Sequence, residues 1–180
     1  VEPARVSGEI APAGTGGLAY SGVSYASTYF GTDDGFDIYR TMLGPNGEKL
    51  SAEERLTAFN SDSAGGPVVW TGDRYGVLWQ GRPNGDYEIF FRLLDESGQT
   101  VVTGPVPVSD GANGFSVNPD LGFTGNRFIA VWQDEREGIF DIYGQIINLD
   151  GSLVGADVRL TQAVTFPSEA PAIAASTTSG

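Results

Sequence analysis

Three stretches of this chain are versions of one another. Residues 18–30, 68–80 and 120–133 each carry a Gly (Gly22, Gly72, Gly125), then an aromatic (Tyr25, Tyr75, Phe128), then a second aromatic four residues on (Tyr29, Trp79, Trp132). Behind each comes an acid followed by Ile: Asp37-Ile38, Glu88-Ile89 and Asp141-Ile142. Nine residues after each Ile stands Gly47, Gly98 or Gly151, and each unit closes on Arg55-Leu56-Thr57, Pro107-Val108-Ser109 or Arg159-Leu160-Thr161. The period is 50 to 53 residues. Self-similarity of this kind means a stacked supersecondary unit, because one unit cannot bury its own apolar faces.

Each unit reads as strand throughout. In the middle unit Tyr75, Val77 and Trp79 alternate with Gly76, Leu78 and Gln80, and residues 87–94 are rich in β-formers on both faces. Thr71-Gly72-Asp73-Arg74 and Thr124-Gly125-Asn126-Arg127 have the form of two-residue hairpin turns with Gly where φ must be positive. The middle unit therefore divides into strands near 67–71, 74–80, 86–94 and 104–109, and no stretch carries a convincing amphipathic helix. Strands apolar on both faces need cover on both faces. A four-stranded meander meets that need by stacking radially as the blades of an all-β propeller, which uses about 4–8 of them. A β-sandwich, the competing architecture, would show one solvated face per strand. Complete blades fall at 17–57, 67–109 and 119–161, with lone terminal strands expected at 4–7 and 171–176.

The third unit, WQDEREGIFDIYGQIINLDGSLVGADVRLT (132–161), resembles the blade repeat of bacterial exported propellers, loosely the TolB-like class. Asp134, Arg136, Gly138, Asp141, Ile142 and Tyr143 match best; the second unit departs, with Gly81 and Pro83 at the Asp134 and Arg136 positions. The resemblance implies a blade fold and an exported, secreted or cell-surface setting, not one activity. Three blades do not close a ring. The chain, which opens on Val1 rather than Met, is expected to be a processed or cut piece. Its ring would be completed by another copy or by the remaining blades of a larger propeller.

Charge narrows the partners. Ten Lys and Arg against 23 Asp and Glu leave a net charge of −13. Nucleic acid requires a basic footprint and anionic membranes attract basic segments, so neither is expected as a partner. No apolar run is long enough to insert in a bilayer. With no Cys and no His, thiolate chemistry and Ser–His or Cys–His machinery are excluded within this chain.

Connectivity places the loops between second and third strands at the same end as the loops between blades. That end gathers Asp33, Asp34, Asp86, Asp134, Glu135 and Glu137 from the first set and Asp62, Asp110 and Glu169 from the second. The leading reading is a non-catalytic binding or structural module that meets a protein or carbohydrate through this acidic end. Its candidate contacts are Asp86, Asp134, Glu135 and the loop aromatics Phe59, Phe115 and Phe166. Ca²⁺ is the cation that Asp33, Asp34 and Asp37 would suit, although the loop lacks EF-hand spacing. The alternatives are a polysaccharide-active hydrolase or lyase using an Asp/Glu pair and a lectin-like propeller. The repeated acids Asp37, Glu88 and Asp141 read as structural, tying backbone amides or a neighbouring Arg. Trp79, Trp132, Ile89 and Ile142 are expected at the centre of the packing between blades.

Overall fold

The Gly that marks each unit lies where the chain reverses. Thr71 N–H donates to Arg74 O and Thr124 N–H to Arg127 O, each at 2.9 Å. Gly72 and Gly125 take φ of 108° and 96°, the left-handed first position that a two-residue hairpin turn reserves for Gly. The turns set the register. Trp70 stands opposite Tyr75 and Phe123 opposite Phe128, with ring centroids 4.5 and 5.4 Å apart.

The computed structural model describes residues 13–14, 16–31, 35–57, 62–83, 85–101, 104–109, 114–162 and 165–175. The described residues form thirteen strands and no helix. The first sheet contains β1 (Ala13–Gly14), β2 (Leu18–Tyr20), β3 (Tyr25–Gly31), β4 (Asp37–Leu43) and β5 (Glu54–Arg55). β1 and β2 pair end to end with β3, so together they take the place of one strand. The second sheet is β6 (Val68–Trp70), β7 (Arg74–Gly81), β8 (Glu88–Asp95) and β9 (Val106–Pro107); the third is β10 (Ser116–Phe123), β11 (Phe128–Asp134), β12 (Asp141–Ile147) and β13 (Leu153–Arg159). All pairings are antiparallel and follow chain order, the meander expected of a blade. Residues 4–7 lie outside the described residues. Residues 171–175 form no strand: a ladder needs a partner backbone, and here Ile173 N–H donates instead to the Asp120 carboxylate, at 2.8 Å.

The sheets are joined by their side chains. Ala26, Ile38, Met42 and Leu56 of the first sheet form one core with Tyr75, Val77, Trp79 and Leu94 of the second. Leu78, Ile89, Phe91, Leu93 and Val108 from the opposite face of the second sheet form another with Phe128, Ala130, Trp132, Tyr143 and Ile147 of the third. The middle sheet thus sends alternate residues to its two neighbours, as strands apolar on both faces require. The second contact is tight: a Cβ on Gly76 would lie 2.5 Å from the Phe128 ring, so only Gly lets that ring seat. Trp79, Trp132 and Ile89 are central, as expected. Ile142 is only partly buried, because it points away from the second sheet and no further sheet among the described residues covers that side.

Trp132 is fully buried between the second and third sheets. Trp132→Ala is expected to cost roughly 3–5 kcal/mol, the range for truncating a large core side chain. Urea denaturation followed by circular dichroism measures it, and a loss below about 1 kcal/mol would contradict this packing.

Candidate functional site

The repeated acids are built into the strands. Asp37 is buried; its carboxylate accepts from Thr57 Oγ1 at 2.5 Å and Arg55 at 3.1 Å, and Thr57 Oγ1 accepts in turn from Ile38 N–H at 3.0 Å. Asp141 is held in the same way by Thr161 Oγ1 at 2.8 Å and by Arg159, with Ile142 N–H donating to Thr161 Oγ1 at 2.9 Å. Glu88 accepts from Ser109 Oγ, which accepts from Ile89 N–H at 2.9 Å. One hydroxyl in each unit therefore links the last strand to the third, accepting a hydrogen bond from a backbone N–H and donating one to the acid. Asp37 and Asp141 thus each hold a neighbouring Arg, as the structural reading of the repeated acids has it, while Glu88 is held by a serine hydroxyl. The oxygens of Asp37, a candidate for metal, are engaged by Thr57 and Arg55. Its proposed co-ligands Asp33 and Asp34 lie outside the described residues, among which no group of three or more acids is arranged to hold a metal.

Asp134, named above as a candidate contact at the acidic end, is buried. Its carboxylate accepts from Ser116 Oγ at 2.9 Å, Trp132 Nε1 at 2.9 Å, and Arg136 Nε and Nη2 at 2.7 and 2.6 Å. Arg136 continues to Asp157 at 2.8 Å, and its guanidinium lies 4.2 Å from the Tyr143 ring centroid. Burial pushes the Asp134 carboxyl up, but the donors from Arg136, Trp132 and Ser116 outweigh it and hold the group below its usual value. This Asp–Arg–Asp plug fills the edge of the interface between the second and third sheets.

The other candidates are scattered. Asp86 is exposed and Glu135 half-exposed. Phe115 is partly exposed, its ring edge-on to Tyr87 with centroids 6.1 Å apart. Phe166 is 81% exposed. Phe59 and Asp110 lie outside the described residues. The two loop sets do share one end: Asp62, between blades, pairs with Arg82, between second and third strands, at 2.9 Å.

Sequence reasoning does not reach a cleft of about 130 Å³ between the first and second sheets. It lies where the plug would lie had the second unit kept the residues of the third. Trp79 corresponds to Trp132, but Gly81 and Pro83 stand for Asp134 and Arg136. Pro107 pairs with Phe90 as Arg159 pairs with Tyr143, so Pro105 stands for Asp157. All three replacements line the cleft, together with Trp79, Phe90 and Arg92. Arg92 is partly buried, its guanidinium carbon 5.9 Å from the Trp79 ring centroid and its Nε buried without a hydrogen-bond partner. Burial disfavours its charge, and Glu54 favours it from a distance. Glu54 itself is engaged by Arg40. The visible sequence signal was the loss of the acid and the Arg from the second unit's loop; that this loss opens a cleft follows only from the inward turn of the third unit's loop.

No protein family profile and no curated protein matches the chain. Among solved structures, the chain is similar to sucrose-6-phosphate hydrolase from Lactobacillus gasseri, with a TM-score of 0.52 at 13% sequence identity. The match covers 83% of this chain and 36% of the hydrolase, so the chain spans about a third of that protein. The hydrolase has a β-propeller fold. At this identity the likeness concerns fold alone: the three stacked four-stranded sheets are of propeller-blade type.

Asp134 carries a pH test. Its folded pKa is depressed, so its stabilisation is complete above the unfolded carboxylate value, about 3.9, and is lost as pH falls through the folded value. Asp134→Asn is expected to cost about 3 kcal/mol at pH 7, because it removes one partner of a buried ion pair. Denaturation curves at pH 7 and near pH 3 should show the gap to wild type narrowing at the lower pH; a gap of the same size at both would contradict the assignment.

Proposed function

We propose that this chain is a non-catalytic structural and binding module: three blades of a propeller whose ring is completed by further blades of the same kind. Its resemblance to exported bacterial blades supports a secreted or cell-surface setting, and the exposed Asp86, Glu137, Glu169 and Phe166 support contact with a protein or carbohydrate through that end. The hydrolase alternative needs an Asp/Glu pair at liberty to act. Asp37, Glu88, Asp134 and Asp141 hold strands and loops together instead.

One comparison carries this reading. Leu56, Val108 and Leu160 occupy the same place in successive units, yet they are 2%, 2% and 56% exposed. The first two are covered by the next sheet. Among the described residues no sheet covers Leu160, and Ile146 and Val158 are exposed beside it on the same face. An apolar sheet face of this kind marks an interaction surface, and the covered state of its equivalents supports a further blade as its partner.

The isolated 180-residue chain should therefore self-associate through this face. Light scattering is expected to give a mass that rises with concentration above 19.0 kDa. Association should strengthen with salt, which screens the net charge of −13. Leu160→Glu should return the monomer without lowering the melting temperature, since the side chain is largely exposed. A strictly 19.0 kDa species at every concentration, binding no apolar dye, would overturn the reading.

A further inference from the structure

We propose that the cleft between the first and second sheets is a binding site for a small carboxylate carried on a single flat, apolar ring, the ligand's carboxylate standing in for that of Asp134. The inference goes beyond the reading above and does not depend on how the ring of blades is completed.

The same fold builds this place twice and fills it once. Between the second and third sheets, Trp132 Nε1 donates to the Asp134 carboxylate, and Arg136 and Asp157 complete the plug. Between the first and second sheets, Gly81, Pro83 and Pro105 remove both carboxylates and the guanidinium. The indole donor remains: among the described residues Trp79 Nε1 has no acceptor, whereas its counterpart has Asp134. The backbone frame remains as well. Ser63 N–H donates to Phe36 O as Ser116 N–H does to Tyr87 O, at 2.5 and 2.8 Å. What is missing is an anion and the volume behind it.

The cation was not lost with the plug; it moved. The third unit has Gln145 at the Arg92 position, its amide spent on the carbonyls of Ile146 and Val154 at 2.9 and 3.1 Å. Arg92 makes no such bond. Its Nε is buried without a partner, and the nearest carboxylate, Glu54, is taken by Arg40. A buried donor with no acceptor is costly in a folded chain. Among the described residues the guanidinium's terminal nitrogens make no hydrogen bond either, and Arg92 lines the cleft, so a ligand carboxylate there can take a charge-assisted bond from them, for which an Arg fork is the matching shape.

The remaining walls specify the body of the ligand. Trp79, Phe90, Pro83 and Pro105 are apolar, and a few polar groups in an apolar concavity is the usual makeup of a small-molecule site. An apolar cavity of roughly 150 Å³ accepts benzene; the cleft, at about 130 Å³ and open on one side, suits one ring. The chain's net charge of −13 disfavours polyanions, so a single carboxylate is the better fit.

Sodium benzoate is the probe, titrated into the 180-residue chain at pH 7 by calorimetry and tryptophan fluorescence. Expected is saturable binding at one site, with benzamide (the same ring without the charge) at least about tenfold weaker, equal to about 1.4 kcal/mol. Arg92→Met should weaken benzoate by a similar factor at an unchanged melting temperature. Gly81→Asp combined with Pro83→Arg, which restores part of the plug, should abolish binding. If the double variant does not fold, Arg92→Met and the benzamide comparison still decide. No saturation up to about 10 mM benzoate, equal affinity for benzamide, or equal affinity of Arg92→Met would each overturn the proposal.

Discussion

Every strand at the centre of this molecule is apolar on both sides, and that constraint organises the rest. A sheet of such strands cannot face water with either surface, so it must be sandwiched between others. The middle sheet satisfies it fully: Trp79 and Leu94 go to one neighbour, Ile89, Phe91 and Leu93 to the other. Among the described residues the third sheet satisfies it on one side only, which is why Leu160 and Val158 are bare where Val108 is covered. The stacking of the three sheets, and their likeness to propeller blades, both follow from this one requirement.

Polar groups then do two kinds of work. The hydroxyl–carboxylate–amide links at Asp37, Glu88 and Asp141 recur in all three units and tie each last strand to the third. They are part of the blade's construction. The Asp134–Arg136–Asp157 plug occurs at one interface of the two and is absent from the other. Buried polar networks are stable only when every member is satisfied. The second unit discards the network almost entirely, replacing it with Gly and Pro, and leaves behind Arg92 and the Trp79 indole. A repeated scaffold thereby produces two chemically different sites from nearly the same backbone.

The fold was largely legible before any coordinates. Gly72 and Gly125 announce turns because φ there excludes other residues, and the alternation of Tyr75, Val77 and Trp79 declares a strand because side-chain period is fixed by the backbone. The candidate site was not. Asp134 sits in a loop rich in acids, and nothing local distinguishes it from Glu135 or Glu137. Its inward turn depends on Ser116, 18 residues away, and on an indole whose own position is set by packing against another sheet. The relation of Pro105 to Asp157 is likewise invisible until the ladder pairs Pro107 with Phe90. Residue type and local pattern specify strands and turns; cavities depend on how distant side chains fill the gaps between them.

The central claim is that successive sheets are held together face to face by their side chains. Phe91 and Phe128, whose ring centroids lie 5.0 Å apart across the second and third sheets, test it most directly. A double-mutant cycle with Phe91→Leu and Phe128→Leu isolates their mutual contribution to unfolding stability. Stacked sheets predict a coupling of about 0.5–1.5 kcal/mol, the range for a buried aromatic pair. A coupling indistinguishable from zero would mean that the two sheets do not meet at these rings.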